Sequence, residues 1–482
     1  MANLRILFGL IPKTGTLEAN EAALIKEYNE LEEFSKSKEF DRYQELEALI
    51  SSNEFIQKKK EIESQKFTDT EEYKKEQQFH QLDKSKDIKN YYKIKSSPQL
   101  QKFQKISQSG IIEKANELEK FINSPEFNEA KSSKEYKKSP AHQKEIELKK
   151  IKKSSDYKFY YKFQNNPVYQ SYQKLEGSPD IETYEELKKF VQSSKFKKVK
   201  DYMKLSPKKK YEQSEEYQKE QEYLGLKNSS KFKWYFSLKD SNKFDELKKW
   251  KISFEDDFEG TSLDNSKWLT NYFWGDMVLN DKYSMITDKH IPSDNNIQVK
   301  NSVATIITRK EKANGKAWSP EYGFVPKEFD YTSGILCNGK NFKQKYGRFK
   351  AKVRLNKPSG VTHAFWMLSE HALPHVDVFK FQKNKLVASN FWGSLSDSQS
   401  INKFISKITG AKLCENFYIY SLEWSPGKMV WKINDIEVAS QTQGLPTEPM
   451  FLNFSSGIYD GDPSSLPATM DIDWVKCYQQ SE

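Results

Sequence analysis

The sequence is poor in cysteine, and its first half is poor in glycine and tryptophan. Three cysteines among 482 residues, Cys337, Cys414 and Cys477, stand at wide spacings, which excludes a disulfide framework and any thiolate metal motif. Only 5 of the 19 glycines and two of the ten tryptophans precede residue 251. A glycine-poor stretch of 250 residues argues against tight hairpin turns there, and so against a sheet. No run approaches 18 apolar residues, which excludes a predicted membrane-spanning helix. The apolar run Ile6–Pro12 is short and lacks a small-residue cleavage site, so Met1–Pro12 reads as part of the mature chain. A cytoplasmic protein, or one built into an exported or virion-type particle, is the expectation.

What is abundant is charge. The formal net charge is +10. Residues 1–250 hold 51 Lys and Arg against 42 Asp and Glu; residues 251–482 hold 27 against 26. In the basic half the lysines alternate with glutamates, as on solvated helix faces. Stacking motifs, zinc knuckles and recognition helices are lacking, so nucleic acid is not an expected partner. The break in composition near Trp250 predicts a segment 1–16, a helical region 17–250 and a second domain 251–482.

Residues 17–250 repeat a short phrase: Ser or Thr, two polar residues, then Phe or Tyr. Ser37–Phe40, Ser52–Phe55, Thr70–Tyr73, Ser124–Phe127, Ser133–Tyr136 and Ser214–Tyr217 carry it. Looser copies begin at Ser155, Ser194 and Ser230. A Ser or Thr hydroxyl at N-cap accepts from a free N–H of the first turn, and Glu in that turn suits the helix dipole. Pro98, Pro125, Pro167, Pro179 and Pro207 follow Ser or Asn, at the first helical position where proline is tolerated. The predicted helices are too short to stand alone. An all-α array of helical hairpins with aromatic faces buried between neighbours is expected, serving as scaffold, as docking surface for protein partners, or for self-association.

From Trp250 the pattern becomes that of strands. In Tyr346–Leu355, Phe349, Ala351, Val353 and Leu355 take one face and Arg348, Lys350, Lys352 and Arg354 the other. In His375–Phe381, His375 and Asp377 share a face; a one-residue β-bulge near Val378–Phe379 would bring Lys380 beside them.

These stretches resemble glycoside hydrolase family 16, the laminarinase, lichenase and carrageenase group. Phe254–Trp268 is similar to the opening of those domains, Tyr331–Gly334 to their Y-T-S-G segment, and Phe417–Asp435 and Met470–Tyr478 to later strands. The resemblance implies a concanavalin-like jelly-roll sandwich over residues 251–480. His375-x-Asp377-x-x-Lys380 lies where the family carries E-x-D-x-x-E. Both outer glutamates are replaced, and a retaining glycosidase needs two carboxyl groups about 5 Å apart.

The expectation is therefore a probable pseudo-glycosidase: a non-catalytic, lectin-like module binding a polysaccharide, or a structural component of a large surface or virion-type assembly. The alternatives are a protein-contact domain with a filled cleft, and an active polysaccharide hydrolase with relocated carboxylates, Glu370 being the nearest spare acid. Trp366, Trp392, Trp274 and Trp318 are candidate sugar platforms, since aromatic faces bury sugar C–H surfaces. By alternation, His363 does not share the side of Trp366. No cofactor is required. The resemblance also suggests a structural calcium, with Glu259 and Asp473 as loosely matching ligands.

Overall fold

The computed structural model describes residues 6, 10–356, 360–383, 385–396, 400–408, 413–414, 416–460, 463 and 465–481. Most of Met1–Pro12 lies outside them. Two compact units emerge: Lys38–Lys233, and Met1–Ser37 together with Trp234–Glu482. The strand grammar begins at Trp250 as expected, with the strand Trp250–Asp256, but residues flanking the helical region on both sides pack as part of the sandwich unit.

Lys38–Lys233 is all-α, a chain of short helices. The repeated phrase marks their junctions, and at many of them one hydroxyl makes two bonds. Ser52 Oγ donates to the Leu49 carbonyl at 2.6 Å and accepts from the Phe55 N–H at 3.1 Å. Thr70 bridges Phe67 and Tyr73 in the same way, and Ser214 bridges Tyr211 and Tyr217. One side chain thus closes the turn that ends a helix and caps the next. At the looser copies the cap is the residue before the one expected: Ser154 serves Tyr157, Ser193 serves Phe196 and Ser229 serves Phe232. The serine three residues before the aromatic N–H has the reach; the second serine of each pair is already in the helix. Ser133 caps no long helix; only a turn of 3-10 helix follows at Tyr136–Lys138.

The pairing of helices is nested rather than successive. Lys38–Ile50 packs on Glu215–Asn228, Asn53–Ser64 on Pro207–Glu212, and Glu71–Lys84 on Pro179–Gln192. Lys86–Lys95 packs on Pro167–Leu175, Pro98–Gln108 on Ser155–Gln164, and Ile111–Ile122 on Pro140–Lys153. The chain runs out through six helices, turns at Pro125–Ser132 and returns antiparallel. Four of the rungs are joined by aromatics: Tyr43 stacks on Tyr223 at 5.3 Å, Phe79 on Tyr184 at 5.6 Å, Tyr91 on Tyr172 at 5.0 Å and Phe103 on Tyr160 at 4.7 Å. Because the caps carry the junctions, Ser214→Ala is expected to lower the stability of this unit by about 1 kcal/mol. Urea unfolding followed by far-ultraviolet circular dichroism reads this, with Ser107→Ala, a hydroxyl in the last turn of its helix bonded only to Phe103, as the near-neutral control.

The second unit is a sandwich of two sheets. In the larger, Gly347–Leu355 runs antiparallel between Tyr418–Trp424 and Ala468–Gln480. The smaller has six strands in the order Asn402–Ile408, Lys385–Trp392, His375–Gln382, Thr362–Leu368, Phe451–Gly457, Ile335–Cys337. Alternation decides the faces: Phe349, Ala351, Val353 and Leu355 are fully buried in the core between the sheets, with Phe365, Phe379 and Trp431. The polar face of Gly347–Leu355 is partly covered by the first long helix, Thr14–Ser35. Glu18 accepts from Lys352 Nζ at 2.9 Å and from Trp474 Nε1 at 3.0 Å, and Thr14 donates to the Phe417 carbonyl. Among the described residues no helix is long and apolar enough to cross a membrane.

Candidate active site

The outer face of the six-stranded sheet carries a groove of about 350 Å³. Its floor comes from Thr362–Leu368, where Thr362, Ala364 and Trp366 point outward while His363, Phe365 and Met367 point into the core. On the next strand the register slips between Asp377 and Lys380 against one neighbour and between Asp377 and Phe379 against the other. That bulge turns His375, Asp377 and Lys380 to the same groove.

Asp377 is 3% exposed and fully engaged. His375 Nε2–H donates to Oδ1 at 3.0 Å, and the Ser389 hydroxyl donates to Oδ2. Burial by itself would raise this carboxyl. The charges of His375 and Lys380, with the two hydrogen bonds, outweigh it and hold Asp377 below the usual carboxylate range. The Asp377 carbonyl accepts from Trp431 Nε1 at 2.9 Å, so a tryptophan of the other sheet pins the backbone at the bulge. When the His375 ring is neutral and gives Nε2–H to Asp377, its lone pair is on Nδ1. The ring lies flat on Trp366, with centroids 5.0 Å apart, and edge-on to Phe391.

The opposite wall holds groups that sequence reasoning did not single out. Asp288, 4% exposed, accepts from the Ser284 hydroxyl at 2.9 Å and the Met285 N–H at 3.1 Å. Tyr459, from the segment after Phe451–Gly457, hydrogen-bonds Tyr272 and Ser455. Burial and the charges of both Asp288 and Asp377 push its phenol upward, so it stays protonated. No motif flags Asp288 or Tyr459, since they reach the groove from segments remote from the central strand. The one available sign was an aromatic just past a predicted core strand.

Of the candidate platforms, Trp366 and Trp274 line the groove. Trp366 Nε1 donates to Ser455 at 3.0 Å. Trp392 and Trp318 do not line it. Phe391, paired with His375, takes the cleft side of its strand, which turns Trp392 the other way onto the backbone of Gly444. Trp318 lies opposite Met285, one strand behind the groove lining. Glu370 is exposed and ion-paired to Lys343, away from the groove. Glu259 is exposed, and Asp473 is paired to Lys352 at 2.6 Å, an ammonium where a calcium ion would have to sit. The described residues contain no cluster of three His, Cys, Asp or Glu that would hold a metal.

Residues 279–476 match the model for Glycosyl hydrolases family 16. The C-terminal region thus matches family 16 in sequence, and the helical half is unassigned. Over 267 residues the chain is 25% identical to Glucan endo-1,3-beta-glucosidase A1 of Niallia circulans, covering 48% of this chain and 38% of that protein. It is 29% identical over 161 residues to Endo-1,3-1,4-beta-glycanase ExsH of Rhizobium meliloti (strain 1021), covering 31% of this chain and 34% of that one. The catalytic domain of an endo-1,3-beta-glucanase (laminarinase) from Thermotoga petrophila RKU-1 aligns over its full length and 49% of this chain, at 20% identity and a TM-score of 0.40. The chain spans about a third to a half of the length of the curated relatives it matches first.

These curated relatives are glycan-cleaving enzymes by name, and they overturn the expectation of a non-catalytic lectin-like or structural module and of a pseudo-glycosidase. The physical error was to equate loss of the two outer glutamates with loss of a working cleft. The C-terminal domain keeps an Asp–His pair, a second buried carboxyl group and a protonated phenol around one groove.

Proposed function

We propose that the family-16 domain is a polysaccharide-cleaving enzyme, of the β-glucan-hydrolysing kind for which its relatives are named, with its chemistry relocated from the outer acid positions. The observation that carries this reading is the His375–Asp377 bond in a groove that also holds Asp288. Hydrolysis needs one group to activate water and one to serve the departing oxygen. Asp377 fixes the His375 tautomer, and Nδ1 takes a proton from the attacking water as its oxygen bonds the anomeric carbon. The glycosidic C–O bond breaks, and Asp288, acting from its protonated form, gives its proton to the leaving oxygen and ends as the carboxylate. Trp366 and Trp274 supply sugar-stacking area, and Tyr459 donates to a sugar hydroxyl. The helical unit is proposed as a docking surface for protein partners or for self-association.

The test is release of reducing ends from laminarin, lichenan and a panel of acidic polysaccharides by the full chain. Turnover is expected, with Asp288→Asn losing about 10²-fold or more and Glu370→Gln unchanged. No release from any polymer, or turnover indifferent to Asp288→Asn, sinks the relocated mechanism.

A further inference from the structure

Lys380 differs from Lys385, Lys403 and Lys407 of the same sheet, which are exposed. It is half-buried in the groove wall. Among the described residues no carboxylate comes within ion-pair distance of it. Some lysines of the same unit do find one: Lys383 pairs with Asp460 at 3.0 Å, and Lys352 with Asp473 and Glu18. The carboxylate that Lys380 does feel, Asp377, already has both oxygens taken by His375 and Ser389. Its near neighbour is an aromatic face, with Nζ 5.8 Å from the Tyr459 ring centre.

A half-buried cation with no counter-charge loses hydration without full compensation. Such a group is retained where a ligand supplies the missing charge. Space for one is present: Ala364 lies directly across from Lys380 on the adjacent strand, and its methyl, with Thr362, leaves the groove open beside the ammonium. Sugar platforms stand along the same groove at Trp366 and Trp274. An anion on a sugar stacked there meets a single unneutralised cation.

We infer that the glycan taken by this groove bears an anionic group, a uronate carboxylate or a sulfate ester, that pairs with Lys380. The inference rests on the glycan-cleaving reading above and narrows its substrate class. Lys380 then acts in recognition: it orients an acidic residue across the His375 site, and an acidic sugar one position away gains a contact that a neutral one lacks.

The experiment is titration calorimetry on the full chain with three oligosaccharides of equal length: a neutral β-1,3-glucan, an oligogalacturonate and a sulfated galactan. One acidic ligand is expected to bind at least about tenfold tighter than the neutral one, and the preference to weaken as salt rises, because a partly exposed pair is screened. Which acidic ligand wins separates carboxylate from sulfate. Lys380→Gln should abolish the preference and Lys380→Arg restore it, with melting temperatures checked for both. Equal or tighter binding of the neutral glucan, no binding of any of the three, or a preference untouched by Lys380→Gln overturns the inference. Its failure is distinguishable from failure of the enzyme reading. Turnover of neutral glucan together with no preference for either acidic ligand leaves the enzyme without the anion site. A Lys380-dependent acidic preference with no cleavage of any polymer leaves the anion site without the enzyme.

Discussion

Asp377→Asn is expected to lower kcat by about 10²–10⁴-fold, the range that a positioned proton acceptor contributes, while leaving KM nearly unchanged. Asp377 does not touch the sugar; it acts through His375. The carboxylate accepts Nε2–H at 3.0 Å, which leaves Nδ1 as the lone pair. An Asn amide placed with its NH₂ toward the ring donates instead. The ring must then offer Nε2 as acceptor and keep its proton on Nδ1, the wrong tautomer for taking a proton from water. Shape and volume are nearly conserved, so the fold should survive. Burial there was tolerated only because the charge was paired, and a neutral amide needs less pairing. A merely structural role predicts a different pattern: a large fall in melting temperature with kcat intact in the folded fraction. Asp377→Glu, which keeps the acceptor, should retain more activity than Asn. If Asn and Glu lose equally, or if kcat is unmoved by Asn, the His375–Asp377 pair is not the working base.

That site was legible only in part. The strand His375–Gln382 and its bulge could be placed because alternation and the family-16 spacing both specify them, and the bulge alone decides that Lys380 faces the groove. The same bulge made Trp392 hard to place. The register of Lys385–Trp392 is set against the slipped strand, so counting from a regular neighbour assigns the wrong residue to the cleft; the residue facing His375 is Phe391. Asp288 and Tyr459 were invisible for another reason: each is far in sequence from the groove strand and reaches it only through tertiary folding. In the helical unit the junctions were readable because capping is local. The nested partners were not, because Ser52 and Phe55 specify where a helix starts and nothing about which of fourteen others lies beside it. Aromatic spacing is similar at the four aromatic rungs, and partner choice follows from the single reversal at Pro125–Ser132.

The largest stability effect is expected from pH, through His363. Its side chain is 0% exposed in the sandwich core; Nδ1 is 2.6 Å from the Ser456 hydroxyl, and Nε2 has no partner among the described atoms. Around it are Phe381 and Ser456 on the flanking strands, with no acid to stabilise a charged ring. Burial therefore pushes its pKa down to about 3 from an ordinary value of 6.5. The unfolded chain binds a proton at this ring below about pH 6.5, and the native chain refuses one until about pH 3. Over that window the unfolded state holds more protons, so stability rises with pH and falls on acidification, by about 1.4 kcal/mol per unit. Between pH 7 and pH 4 the loss from this one group is about 3 kcal/mol, a large share of a domain's usual margin. His290, also buried and held low by burial, titrates in the same direction beside Asp288, so acid sensitivity of the whole unit is not by itself diagnostic. The difference between wild type and His363→Gln isolates the term. Eight of ten tryptophans lie in residues 251–482, so tryptophan fluorescence follows this unit in a urea titration. The wild type should lose about 3 kcal/mol more than His363→Gln between pH 7 and pH 4, even if the variant is less stable at pH 7. Parallel losses in the two proteins would mean that the native ring accepts a proton near its ordinary pKa, and that a charged or hydrated environment reaches His363.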